Sequence, residues 1–262
     1  MKILFVGDVI GKPGRRILAE VLPRLIDRKS LDYVIVNVEN SAGGYGVTRD
    51  VLAEFERLPI DCYSSGNHIW DRKEAIPLLS DPKLLRPENY PEGNPGTGLH
   101  IGETASGAKV ATLNLEGQVF MKGLRSPFLV ADQVLAALPS DVAAVIVDFH
   151  AEATSEKQAL GYHLDGRVSA VFGTHTHVPT ADDRILPQGT AFITDVGMTG
   201  PYDGVIGFRH DKVLHRFLTQ TPAPFEVAKG DVRLAGAIVE VDPTTRRAIA
   251  LERLLIRDGE DF

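Results

Sequence analysis

A layered α/β fold is predicted by three features of this 262-residue sequence. Short apolar runs of β type alternate with helix-patterned segments, the runs stop abruptly at polar or metal-capable residues, and the last quarter of the chain carries a hairpin pattern. Strands that read as nearly continuous apolar runs are covered on both faces, which requires layers on either side of them. In such folds ligands sit in the crevice beyond the carboxyl ends of the strands, so the polar endings are expected to converge on one rim.

The first run, residues 3–6, stops at Asp8. After Pro13-Gly14 the apolar spacing predicts a helix over 15–26. The run 33–38 ends in Glu39-Asn40, and Thr48 is placed to cap a helix over 49–57. Residues 60–63 form a third run, which leads into Gly66-Asn67-His68. The stretch RPENYPEGNPGTG at 86–98 holds too much proline and glycine for regular structure and reads as a long loop, and GLRSPF at 123–128 reads as another. A helix over 131–138 precedes the run 142–147, which ends at Asp148 and His150. The run 170–172 ends at His175 and His177, and 191–194 ends at Asp195. Residues 233–241 and 247–256, flanking Asp242-Pro243-Thr244-Thr245, read as an antiparallel hairpin, so the sheets are expected to be mixed. No linker or low-complexity segment divides the chain, and residues 1–262 read as a single domain.

Composition narrows the function classes. A hydrophobic content of 44% can supply a full core for a chain of this size. Twenty-eight Lys and Arg against 35 Asp and Glu give a net charge of −7, without the basic footprint of a protein that binds long nucleic acid. A small anionic substrate remains compatible with local cations. The lone cysteine, Cys62, lies in an apolar run and reads as core filler, consistent with a reducing compartment. The opening MKILFVGD is too short an apolar stretch for a signal peptide, and nothing approaches the ~20 apolar residues of a membrane span. A cytoplasmic location with no membrane partner is expected, and self-association into a homo-oligomer is left open.

Two glycine-rich stretches resemble nucleotide loops without meeting their requirements. GDVIGKP at 7–13 spaces its glycines too closely for a phosphate loop and has proline where Ser or Thr must hold magnesium. SAGGYG at 41–46 lacks dinucleotide-loop spacing and reads as a flexible turn near the site. The pair in GTHTH is more telling. In an extended segment residues two apart share a face, roughly 6–7 Å apart, so His175 and His177 should look into the same space. With Asp8, Glu39, Asn40, Asn67 and His150 they form a ligand set too large for one ion, which takes about four to six donors, and suited to two ions sharing a bridge. Mixed carboxylate, amide and imidazole ligation fits iron, manganese or zinc better than calcium, and the absence of thiolates argues against a structural zinc site.

These residues carry a family resemblance. GDV at 7–9, VEN at 38–40, GNH at 66–68, FH at 149–150 and GTHTH at 173–177 resemble, in order, the motifs of the calcineurin-like metallophosphoesterases. The stretches VENSAGG and GNHIWD are similar to those of the YmdB-like phosphodiesterase branch. The resemblance implies a layered α/β/β/α sandwich with mixed sheets and two divalent or mixed-valence ions per chain, iron being the first choice and manganese or zinc the alternatives. The wider superfamily writes its first motif as Asp-x-His, whereas Asp8 is followed by Val9-Ile10, and Glu39 stands where a bridging aspartate is usual. The YmdB-like pattern implies that Asn40 replaces the missing histidine. By this resemblance Asp8, Asn40 and His177 hold one ion, Asn67, His150 and His175 hold the other, and Glu39 bridges them.

The chemistry implied is hydrolysis of phosphodiesters, cyclic nucleotides included. Ions about 3.5–4 Å apart can share a hydroxide, lower its pKa and aim it at phosphorus. His68, beside Asn67, is then the general acid for the leaving oxygen or a donor to the phosphate, with orientation of a nearby carboxylate as its structural alternative. With no cationic clamp beside the ligands except an approach by Arg125, diesters are expected to be favoured over monoesters. Rival readings are a non-catalytic metal- or nucleotide-binding sensor, an amide hydrolase and a phosphomonoesterase.

Overall fold

Strand β1 (Lys2–Val6) shows why the apolar runs are continuous. Leu4 and Val6 face one buried cluster while Ile3 and Phe5 face another, so no residue of the alternation meets water. Residues 1–262 are described by a computed structural model. One sheet contains β1, β2 (Tyr33–Asn37), β3 (Cys62–Ser64), β10 (Gly200–Pro201), β11 (Val232–Val241) and β12 (Ala248–Arg257). Its order is β10-β11-β1-β2-β3 with β12 also paired to β11; β1, β2 and β3 are parallel and β11 runs against β1. The other sheet runs β4-β5-β6-β7-β9-β8. Its strands are β4 (Leu99–Glu103), β5 (Lys109–Glu116), β6 (Val142–His150), β7 (Ala170–Thr174), β8 (Arg184–Ile185) and β9 (Ala191–Ile193), with β5, β6, β7 and β9 parallel.

The sheets face each other across a core that takes Phe5 and Ile35 from the first and Ile146 and Phe172 from the second. Phe5 and Phe172 meet there with ring centroids 5.3 Å apart. Outside the first sheet, α1 (Gly11–Lys29) and α2 (Arg49–Phe55) bury Ile17, Leu22 and Leu52. Outside the second, α4 (Pro127–Ala137) and α5 (Thr154–Leu164) bury Val130, Leu160 and Leu164. The layers are therefore α/β/β/α, with both sheets mixed. Two further helices, α3 (Ala75–Leu78) and α6 (His210–Thr219), lie in connections.

Several boundaries differ from the sequence-based expectation for identifiable reasons. Helix α1 begins at Gly11 rather than residue 15, because Pro13 sits in the first turn, where its missing N–H has no partner to lose. Helix α4 begins at Pro127, inside the stretch expected to be a loop, with proline at its preferred position. Thr48 caps α2 as expected, its hydroxyl accepting from Val51 N–H. Strand β5 was hidden by Thr112 and Asn114, polar residues that are fully buried. Helix α5 buries Lys157, so its apolar periodicity is weak. Residues 86–98 form the expected loop, held by the Arg86 guanidinium through Pro87, Pro95 and Gly96 carbonyls. The hairpin of β11 and β12 also forms as expected, with Asp242 accepting from Thr244 N–H and Thr245 O–H in its turn.

Candidate metal centre

The carboxyl ends of β1, β2, β3, β6 and β7 meet at one rim, and the residues following them face one another. Around His150 Nε2 lie Glu39 Oε1 and Asn67 Oδ1, both at 2.9 Å, and His175 Nδ1 at 3.0 Å. Three of these donors, from Glu39, His150 and His175, fall within 4.8 Å of one another. Such a cluster brings acceptor lone pairs together, which is unfavourable until a cation or proton stands between them. Gly66 permits the approach, since a Cβ there would lie 2.2 Å from the His150 ring.

Each ring is oriented from behind. Thr174 Oγ1 donates to Asp148 Oδ1 at 2.7 Å and accepts from His150 Nδ1 at 2.9 Å, which leaves Nε2 as the free nitrogen. Asn37 Nδ2 supports Asp148 from its other oxygen at 3.1 Å. His175 Nε2 meets Glu152 Oε2 at 3.2 Å, leaving Nδ1 for the cluster. His177 Nδ1 donates to the Ile206 carbonyl at 3.0 Å, which frees its Nε2. A carboxylate, hydroxyl or carbonyl behind an imidazole is the usual support of a metal-binding histidine.

Two further oxygens at this rim are buried without hydrogen-bond partners, Asp8 Oδ1 and Asn40 Oδ1. Asn40 donates through Nδ2 to the Gly44 carbonyl at 2.9 Å, which turns its oxygen inward. Asp8 Oδ2 accepts from the His175 backbone at 3.3 Å, and Glu39 Oε2 accepts from the His68 backbone at 3.0 Å. Buried acceptors are rarely left orphaned, and hard-to-intermediate cations are natural partners for this donor set. The residues therefore fit bound metal.

Electrostatics agree. Burial opposes charge on both Glu39 and His150, yet each overrides it in the other: the ring holds Glu39 down to about 2, and the carboxylate holds His150 up to about 9. Burial and the neighbouring His150 lower His175 to about 3. Burial raises Asp8, and it raises Asp148 to about 7. Without metal, a proton on His150 takes the place of positive charge.

The two histidines of GTHTH are not in an extended segment as their spacing suggested. Strand β7 ends at Thr174, and His175 and His177 have φ values of 94° and 65°. Their rings consequently diverge, one towards His150 and the other towards Ile206. The strained turn is held by Asp195, whose Oδ2 accepts from Thr176 N–H and O–H and pairs with buried Lys157 at 2.7 Å.

His68 follows Asn67 in a 3-10 turn (Asn67–Trp70), and its Nδ1 lies 2.7 Å from Asp71 Oδ2. The carboxylate that orients His68 is therefore Asp71, in the same GNHIWD stretch. His68, Asn40, His175 and His177 line one cavity of about 610 Å³. Asn67 and His175 line a smaller recess of about 300 Å³ with Glu116 and Lys122. Arg125, which the sequence left able to approach from its loop, bonds Gln133 at 2.8 Å, and Lys122 lines the smaller recess. SAGGYG is a turn beside the site as expected, tied down by Arg15 to Ser41 and by Arg72 to Ala42 and Tyr45.

Comparison with known proteins gives this site a family context. The model described as YmdB-like protein matches residues 4–254. A Bacillus subtilis (strain 168) protein named 2′,3′-cyclic-nucleotide 2′-phosphodiesterase is 47% identical over 263 residues, covering 100% of this chain and 99% of that protein. A hypothetical protein from Thermus thermophilus has a crystal structure that superposes with a TM-score of 0.93 at 42% identity, covering 99% of this chain and 100% of the other. The crystal structure of a protein described as a novel phosphatase from Mycoplasma pneumoniae superposes with a TM-score of 0.91 at 37% identity, covering 99% and 95%. No helix is long and apolar enough to cross a membrane. With motifs, fold and nearly the whole length in common, the chain belongs to the YmdB-like family of calcineurin-like metallophosphoesterases.

Proposed function

We propose that the chain is a dinuclear metal-dependent phosphodiesterase that hydrolyses small phosphodiesters, including 2′,3′- or 3′,5′-cyclic nucleotides. The observation that carries this reading is the ring of donors around His150 Nε2, Glu39 among them, together with the orphaned buried oxygens of Asp8 and Asn40. Asp8, Asn40 and His177 would hold one ion, Asn67, His150 and His175 the other, and Glu39 both, with iron the first choice and manganese or zinc the alternatives. When bound, the metals supply Lewis acidity towards the phosphoryl oxygens and an activated water nucleophile. The chain's own part is to fix these donors: Thr174, Glu152 and the Ile206 carbonyl set the ring nitrogens, and Asp195 holds the turn that carries two of them.

His68 delivers a proton to the leaving oxygen. With Nδ1 against Asp71, its Nε2 is the ring atom free for that task, on a side chain that lines the larger cavity. The lining of that cavity contains no lysine or arginine, and the smaller recess contains only Lys122. So sparse a cationic lining favours the single charge of a diester over the dianion of a monoester. The core shared by the two sheets supports reading residues 1–262 as one catalytic domain, and the buried, unpaired Cys62 is consistent with the cytoplasm.

Elemental analysis of active protein, combined with rates on paired mono- and diesters, tests the proposal. Two ions per chain and faster diester hydrolysis are expected. At most one ion in fully active protein refutes the dinuclear reading, and equal or faster monoester hydrolysis reassigns the chain as a phosphatase.

A further inference from the structure

Outward from His68, the larger cavity is walled by aromatic rings that the metal chemistry does not use. Tyr45 stands edge-on to His68 with centroids 5.0 Å apart and stacks on Phe208 at 5.4 Å and 21°. Phe208 continues to Phe225 at 5.1 Å, and the Arg216 guanidinium covers Phe225 at 4.3 Å. Phe217, from α6, lines the same space. The close approach of the 41–46 turn to this wall depends on Gly44, which has φ 103° and whose Cβ, if present, would lie 2.7 Å from the Phe208 ring.

Four observations indicate what the wall receives. The aromatic surface is continuous with the side chain proposed to protonate the leaving oxygen, so a group stacked there is attached to the reacting phosphate. The cavity, about 610 Å³, is of the size that holds small organic ligands, larger than a phosphate alone requires. Its lining has no lysine or arginine, which suits a neutral flat ring and not a second phosphate. Phe217 is 78% exposed, which leaves its apolar ring free to be covered by a ligand.

We propose that Tyr45, Phe208, Phe217 and Phe225 form a stacking subsite for the base of a nucleotide substrate, making nucleoside cyclic phosphates preferred over esters without a base. This rests on the phosphodiesterase reading for its kinetics, though not for the binding itself. Base–aromatic stacking is sequence-tolerant, so the subsite should distinguish a base from no base more than one base from another.

The test uses Phe217→Ala and Phe225→Ala in the full chain, with thermal melting to verify the fold. Rates are compared on adenosine 2′,3′-cyclic phosphate and on 1-O-methylribose 2′,3′-cyclic phosphate, and adenosine binding is measured separately by calorimetry. Each substitution is expected to raise KM for the nucleotide and weaken adenosine binding by roughly 5- to 150-fold, leaving the base-free ester unchanged. Adenosine binding that is undetectable in the wild type, or unaltered in both variants, overturns the subsite. A wild type that turns over neither ester while binding adenosine through these rings would overturn the phosphodiesterase reading and keep the subsite. Loss of self-association in Phe217→Ala, seen by sedimentation with unchanged nucleotide KM, would assign the exposed face to a second copy of the chain and overturn the proposal.

Discussion

Replacing Thr174 with valine should weaken the centre without altering any atom proposed to bind metal. The Thr174 hydroxyl has one proton, and its 2.7 Å bond to Asp148 uses it. Its oxygen therefore accepts from His150 Nδ1 at 2.9 Å, which makes Nε2, directed at Glu39, Asn67 and His175, the nitrogen that gives up its proton when metal binds. Valine preserves the shape and removes both bonds. Asp148 retains Asn37 on its other oxygen at 3.1 Å, whereas the His150 Nδ1–H is left without this acceptor in a fully buried site. An unpaired buried donor costs about 1–3 kcal/mol, and the ring escapes that cost only by moving its proton to Nε2, where it blocks the ligand atom. The loss in metal affinity should be about 10- to 100-fold, the range found when a ligand's support is removed. Competition with a chelator of known affinity measures it, with thermal unfolding of metal-free protein as the control for folding. Thr174→Ser keeps the hydroxyl and should bind metal as the wild type does. A valine variant that folds and binds metal with wild-type affinity would falsify the tautomer argument.

His68→Gln should retain its metal and slow a cyclic nucleotide by about 10²- to 10⁴-fold while slowing an activated aryl diester much less, because only the alkoxide needs a proton to leave; equal slowing of both would instead assign His68 to the phosphoryl group. Since Glu39 holds His150 protonated up to about pH 9 in the metal-free site, metal must displace a proton, and apparent affinity should fall about tenfold per unit of acidification between roughly pH 8 and 6. A pH-independent affinity across that window would contradict the coupling. Lys157→Met leaves the Asp195 carboxylate buried without its cation and should cost about 3–5 kcal/mol, towards the lower end because Thr176 and Gly197 still donate to it. Denaturant unfolding measures this, and a loss below about 1 kcal/mol would mean that the backbone donors suffice.

Much of this architecture was legible because the strands leading to the site are buried on both faces and end where the backbone leaves the sheet. That pattern made Asp8, Glu39, Asn40, Asn67, His150, His175 and His177 stand out, and the structure brings three of them, Glu39, Asn67 and His175, together around His150. Strand β5 illustrates the opposite case. Asn114 and Glu116 interrupt its apolar run, yet both are fully buried and face the rim, Asn114 bonding the Ser65 carbonyl at 2.8 Å and Glu116 receiving Tyr90 O–H at 2.9 Å. Polar residues that satisfy one another across the fold imitate a solvated loop in one dimension.

The supports of the site were hidden for a related reason. Thr174 and Asp71 lie within the GTHTH and GNHIWD stretches and Glu152 lies two residues after His150, but nothing in their order distinguishes an orienting side chain from an exposed one. Their role is set by the turn that presents them. The positive φ values of His175 and His177 decide this point most clearly: an extended H-x-H would aim both rings at one place, whereas the observed turn sends His175 Nδ1 to within 3.0 Å of His150 and fixes His177 on the Ile206 carbonyl. That conformation depends on Asp195, a residue about twenty positions further on, receiving Thr176 between the two histidines while Lys157 neutralises it. The divergence of the two rings is thus a property of a buried ion pair between helix α5 and the segment that follows β9, and the spacing of the histidines alone could not contain it.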